Sequence, residues 1–389
     1  MIKKSQQSYF HIFLVLLSLF IIAFINLWSK GMMDETADTA DNRWLFYAVY
    51  LLVGYSAYIW VSNFEVKMRG IHLTCLLWCF IMPVFLIFNH AAPSHIAQAI
   101  LWPLLFEAAY LFTKQSRKNV KLFHKYFILV AIYGGFFFLQ SRLNIASLRL
   151  AQSNTIYFPF LALPFLLLVK DKRLRLLILI FFTVLGVWSL KRSVMLALVF
   201  IWAAYVVSLL KGGHRSVKFF LIVLLTAGGS TAYSYGDELL GGQITERVNS
   251  EETDEGRNRL AIYAVTWAMI QSSSSQELII GHGHFGVRRD SILEISAHND
   301  FLEVIYDYGL LIFALYLLLW GHVIWRCIKL YRSDYELFLP YAVSLAIFLV
   351  MSMVSHLILY TSYFNYLVLF WGMTEGYLQK TARLKMLAR

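Results

Sequence analysis

Apolar residues run along this chain in long continuous blocks, broken by short charged clusters. Runs such as residues 160–169, FLALPFLLLV, show no polar/apolar alternation, so a transmembrane β-barrel is not the expected solution. A helix needs roughly 17–25 apolar residues to cross a bilayer. Blocks near that length recur, and they predict twelve spans: about 9–28, 44–62, 71–88, 96–113, 126–140, 156–169, 176–190, 193–210, 219–234, 308–325, 337–355 and 364–379. The expected fold is therefore all-α, a single membrane domain over 1–389. One large outer segment, about 235–307, lies between the ninth and tenth spans.

Composition sharpens that picture. Of the 389 residues 59% are hydrophobic and 15% charged, with mean hydropathy +0.62. Soluble domains carry about 25% charged residues, so a soluble protein is excluded. The basic residues set the orientation. With the N-terminus in the cytoplasm, 23 of the 34 Lys and Arg fall inside and 11 outside, whereas 17 of the 23 acidic residues fall outside. Both termini are expected to be cytoplasmic. The net charge of +11 follows from this bias and from anionic lipid, and implies no nucleic-acid partner. The first span has a basic start but no small-residue cleavage site, and reads as a retained anchor. Cys75, Cys79 and Cys327 read as packing residues rather than a disulfide or metal site.

Candidate chemistry lies in basic residues that defy the bias. Lys30 and Arg43 flank acidic residues and read as solvated. Glu107, inside the fourth span, reads as held by a hydrogen bond or by snorkelling. Arg142 and Arg149 stand seven apart on an outer loop and would share one face of an interfacial helix, facing either an anionic headgroup or phospholipid. Lys191 and Arg192 occupy an outer turn with almost no loop, where Arg192 is expected to point inward towards something anionic. In the long outer segment, Arg257 and Arg259 open the apolar run LAIYAVTWAMI, which is too short to span and suits a membrane-surface helix. Acidic neighbours at Glu251, Glu252, Asp254 and Glu255 make surface pairing the plainer reading of both arginines. GHGHFG (281–286) is not a phosphate fingerprint opening a helix after a strand, and reads as a flexible turn. His282 and His284 have no third ligand at usable spacing for a metal. Finally, Ser296 to Leu311, SAHNDFLEVIYDYGLL, packs a histidine and three carboxylates against the start of a span.

In order and motif these stretches resemble the O-antigen ligase and polymerase family of bacterial polysaccharide assembly. The resemblance covers roughly residues 150–325. It rests on the tight turn with Arg192, the long outer loop, RLAIY (Arg259 to Tyr263), the glycines 281, 283 and 286, and HNDFLEVIYDYGLL. Ile312 replaces a common family glycine, and Lys191 replaces a small or polar residue. The resemblance implies a GT-C-like, inverting glycosyltransferase at the periplasmic face of the bacterial inner membrane. It would work without nucleotide sugar, metal or other cofactor. The donor would be a glycan on undecaprenyl pyrophosphate. The acceptor would be a lipid-linked repeat unit for a polymerase or lipid A core for a ligase, with membrane lipid and a chain-length regulator as further partners. Arginines matching Arg192 and Arg259 would bind the pyrophosphate, moving Arg259 from surface pairing to site, with Arg142, Arg149 and Lys191 as helpers. His298 would be the essential histidine.

Residue chemistry fits those roles. Arginines supply positive field to a departing phosphate where metal is absent. A neutral imidazole can accept a hydroxyl proton near neutral pH, which suits His298. Glu303 would orient the histidine loop or serve as base itself. Asn299 or Asp300 is expected to cap the following helix. A lipid-linked glycan flippase is the competing class. It would need inverted repeats or broken midplane helices with buried charge, and neither is evident.

Overall fold

In a computed structural model, residues 2–29, 40–63, 70–143, 154–210, 259–333, 335–355, 357–358, 360 and 361–387 are described. Among them there are helices and no strand. Among the described residues eight helices are long and apolar enough to cross a membrane, which makes this a multi-pass membrane protein. Their outward faces support the same conclusion. Trp44, Leu51, Phe80, Leu129, Phe136 and Phe181 are all more than half exposed, a surface that suits lipid and not water.

The chain divides into two compact units. The first comprises residues 1–129, 260–324 and 352–389. It contains α1 (Ile2–Ser29), α2 (Ala40–Ser62), α3 (Ile71–Phe88), α4 (Pro93–Gln115) and the first part of α5 (Arg117–Leu143). Pro93 begins α4 where its missing N–H costs nothing. The core helix α4 packs along the last helix of the described chain, Thr361–Leu387, at two glycines. A Cβ on Gly372 or Gly376 would lie 2.3 Å from the carbonyl oxygen of Phe106 or Tyr110. Glu107 is buried here and hydrogen-bonds His72 Nδ1 at 2.8 Å, satisfying the carboxylate within the bundle. His322 and Glu375 form a second such pair at 3.2 Å.

The second unit comprises residues 130–259 and 325–351. The block at 156–169 is not one long helix: a 3₁₀ turn at Asn154–Ile156 leads into α6 (Tyr157–Leu161) and α7 (Leu163–Leu166). Pro159 and Pro164 remove N–H donors along this stretch, so the continuous ladder breaks although its side chains are almost all buried. Next come α8 (Lys172–Trp188) and α9 (Arg192–Leu210). Asp171 caps α8 by accepting from Arg173 N at 2.8 Å. The expected span at 219–234 lies outside the described residues.

Candidate active site

In the first unit the polar segment after 259 folds into three short helices: α10 (Arg259–Ser272, all but its first residue in this unit), α11 (Ser275–Ile280) and α12 (Gly286–Asp290). A reciprocal capping box starts α11: Ser274 Oγ accepts from Glu277 N at 3.3 Å and Glu277 Oε2 accepts from Ser274 N at 2.7 Å. Ser274, through its backbone N–H first and then its hydroxyl, holds the Glu277 carboxyl below its usual range.

The helix α13 runs Asp300–Ser333 but is broken at Gly309, whose φ of 77° and ψ of 174° are not helical. A nine-residue segment, 300–308, thus precedes the span proper. Asn299 caps it, Oδ1 accepting from Phe301 N at 3.0 Å and Leu302 N at 3.3 Å. The helix-capping duty therefore falls to Asn299, and His298 is spared it. His298 itself is half-buried with φ of 53°. Such left-handed backbone is unfavourable for a non-glycine residue by about 1–2 kcal/mol and persists only where neighbours fix it. Those neighbours are visible. Tyr263 Oη reaches His298 O at 3.4 Å and Met353 O at 2.8 Å, and Asn299 Nδ2 reaches Met353 O at 3.3 Å.

The three carboxylates of the segment are fully buried, yet each has different surroundings. Asp300 fastens the segment to the chain after α14 (Tyr335–Val354): its Oδ1 accepts from Leu357 N at 2.7 Å and Ile358 N at 3.2 Å. Tyr316 Oη lies 3.2 Å from its Oδ2 and 3.0 Å from Ser352 Oγ. Glu303 lies beside the backbone N–H groups of Ala297 and His298, without closing a hydrogen bond to any described residue. Asp307 Oδ1 accepts from Val287 N at 2.9 Å.

That last contact explains GHGHFG. The loop lies against the end of the segment, with His282 N donating to Tyr306 O at 2.9 Å and Gly283 N to Asp307 O at 2.8 Å. Its N–H groups are taken up by the main chain and the carboxylate of the segment itself, and the flexible turn expected from the glycines is instead a bonded one. His282 stacks on Tyr306 (centroids 4.0 Å apart, planes at 7°) and reaches Ser273 Oγ at 2.9 Å. His284 Nδ1 meets Tyr308 Oη at 2.5 Å. Burial pushes the His284 imidazole well below its usual range, and His95, 4.5 Å away ring to ring, adds to this. Arg289 closes the far side, paired with Asp290 at 2.8 Å and donating to His282 O at 2.9 Å. The bond to Asp290 raises its guanidinium above the ordinary value.

In the second unit α8 and α9 meet in a tight turn. A Cβ on Gly186 would lie 2.6 Å from Leu198 Cδ1, so glycine permits this closeness. Leu190 takes φ of 54°, and Ser189 Oγ donates to Gly186 O at 2.6 Å. Lys191 is the N-cap of α9: its carbonyl accepts from Val194 N and Met195 N, both at 3.0 Å. Its side chain is buried with Nζ 6.0 Å from the centre of the Tyr157 ring, and Tyr157 Oη lies 2.5 Å from Ser193 Oγ. Arg192 is the first residue of α9 and is half-buried. A cation there adds to the positive end of the helix dipole, so the turn attracts anions on both counts. Arg142, near the end of α5, is only 1% exposed. Arg259 is the first residue of α10 and half-buried. Arg149 and Arg257 lie outside the described residues.

The expected residues therefore divide. Arg142, Lys191, Arg192 and Arg259 belong to one unit, and His298 and Glu303 to the other. Sequence reasoning passed over Asp307 as a partner of the glycine loop and Tyr157 as a partner of Lys191. The i, i+3, i+7 spacing of Asp300, Glu303 and Asp307 was the signal that these three share a helix face.

Residues 176–317 match the family model described as O-antigen ligase. Over these residues the chain is similar to that family. The matched segment encloses Lys191, Arg192, Arg259, His298 and Glu303, while Arg142 precedes it. The family implies a glycosyltransferase-like enzyme working on lipid-linked glycans in a membrane. No curated protein matches the chain.

Proposed function

We propose that this protein is an O-antigen ligase family polymerase of lipid-linked repeat units at the periplasmic face of the bacterial inner membrane. The observation that carries the reading is that the family segment holds a cationic turn at a helix start, Lys191–Arg192, together with a histidine, His298, in restrained left-handed backbone. The polymerase assignment follows HNDFLEVIYDYGLL, whose form is closer to that side of the family.

The reaction has a simple balance. An acceptor hydroxyl oxygen attacks the anomeric carbon of a glycan on undecaprenyl pyrophosphate. The bond from that carbon to the pyrophosphate oxygen breaks with inversion, and undecaprenyl pyrophosphate leaves with the electron pair. His298 takes the hydroxyl proton. Arg192 and Arg259 meet the developing phosphate charge, their planar forks suited to two oxygens at once, with Lys191, Arg142 and Arg149 adding field. Glu303, buried beneath the His298 turn, orients that loop or serves as base itself. No metal or other cofactor enters the scheme. Around this site we place a GT-C-like bundle of twelve spans forming one membrane domain, with both termini cytoplasmic and residues 235–307 as the periplasmic loop that carries the histidine.

The second reading is a ligase that passes the glycan to lipid A core, and the matched family's own description favours it. Purified protein in lipid vesicles, given a synthetic undecaprenyl-pyrophosphate glycan, separates the two. Elongated glycans, lost in Arg259→Ala and in His298→Ala, are expected of the polymerase. Transfer only after lipid A core is added establishes the ligase. Absence of transfer in both cases overturns the enzyme reading.

A further inference from the structure

Gly309 breaks the helix between segment 300–308 and the span that follows it, so contacts outside the helical ladder set its direction, with Asp300 anchoring its start. The surroundings of its last turn identify the device. Tyr306, Asp307 and Tyr308 are each held by the 281–287 loop: a ring stack and a main-chain bond for Tyr306, a side-chain bond for Tyr308, and for Asp307 two bonds at once, through its carbonyl to Gly283 N and through Oδ1 to Val287 N. The two backbones touch without intervening side chains. A Cβ on Gly281 would sit 2.3 Å from Asp307 O, and one on Gly309 would sit 2.2 Å from Ile279 O. The loop is itself tied to the bundle, because Asn89 Nδ2 at the end of α3 bonds Ile280 O at 3.3 Å and His95 on α4 lies against His284.

We infer that Asp307 is a positioning residue: with Asp300 anchoring the start of segment 300–308, Asp307 clamps its end to the glycine loop, and the two together fix the line along which His298 stands. The inference rests on the transferase reading above for its functional consequence, though not for its geometry. His298 lies eleven residues before Gly309, about 16 Å at 1.5 Å per residue, so a 10° swing about Gly309 would move it by about 3 Å. Misplacement by about 1 Å can cost on the order of a hundredfold in rate. Asp307 touches no reacting group in this scheme. It acts through the element it holds, and what it needs is an acceptor oxygen for Val287 N, which an amide also provides.

The test pairs turnover with hydrogen exchange in the full-length protein in lipid. Asp307→Ala is expected to lower kcat by about tenfold to a hundredfold with KM for the lipid-linked donor within about twofold of wild type. Amide exchange should quicken in the peptide covering 296–305. Asp307→Asn should restore most of the rate and the slow exchange, because its Oδ1 still accepts. Wild-type kcat and exchange in Asp307→Ala would overturn the inference. So would an Asp307→Asn protein as slow as Asp307→Ala with normal exchange, because charge and not the clamp would then matter. If Asp307→Ala fails to accumulate, Tyr308→Phe loosens the same clamp by losing the His284 bond. It should show a smaller fall in kcat with quicker exchange, and wild-type values in both would again overturn the inference. Wild-type protein that transfers nothing defeats the transferase reading instead, and the exchange arm still decides the clamp.

Discussion

His298 and His284 stand within sixteen residues of each other and serve opposite ends. His298 is half-buried in a restrained left-handed turn, with its capping duty taken by Asn299. In the proposed reaction its imidazole is the proton acceptor. His298→Ala should therefore lower kcat by about a hundredfold to ten-thousandfold while leaving the thermal melt in detergent within a degree or two of wild type. Turnover in lipid vesicles and a melt on the same preparation check both halves. His284 is instead buried as a neutral imidazole, facing Tyr308, Phe285 and His95. Its folded pKa lies well below the ordinary 6.5, so its contribution to stability is complete above pH 6.5 and is lost as the pH falls below that value. The protein should accordingly be less stable at pH 5.5 than at pH 7.5. Melts at pH 7.5, 6.5 and 5.5 should show this decline in wild type and a shallower one in His284→Gln.

At the scale of elements, Gly309 and Gly281 carry the greatest constraint. Gly309→Ala combines a positive φ with a backbone overlap against Ile279 O, so it should destabilise by roughly 2–5 kcal/mol. A markedly lower melting temperature or reduced accumulation in membranes would be the readout. Most long helices were legible beforehand, because a continuous apolar block bounded by charges leaves little choice in lipid. Ile71–Phe88 coincides with its predicted range. The break at α6–α7 was not, although Pro159 and Pro164 marked it, because apolar composition masks the loss of N–H donors. The glycine loop was harder still. Its meaning lies in pairing with residues some 25 positions later, and no local pattern announces that Asp307 accepts from its N–H groups. The cationic turn was legible as an exception to the charge rule, but the place of Lys191 beside Tyr157, more than thirty positions earlier, was not.

For the molecule as a whole, the proposed sidedness rests on the charge asymmetry. With Cys75, Cys79 and Cys327 replaced by serine, a cysteine at exposed Ser275 should react with a membrane-impermeant maleimide added to intact cells. A cysteine at Arg389 should react only after lysis, and the reverse pattern would place the glycine loop and the proposed site in the cytoplasm. The tightly packed break at Gly309 has a consequence for how such an enzyme meets its solvent. A span answers a thicker or thinner bilayer by changing tilt, at a cost of fractions of a kcal/mol per Å. Here Gly309 is packed against Ile279 O and Tyr316 of the span holds Asp300, so segment 300–308 and the start of the following span are locked together and a change of tilt reaches the histidine. Turnover should then depend on acyl-chain length in reconstituted vesicles, falling on either side of the bilayer thickness that the span matches.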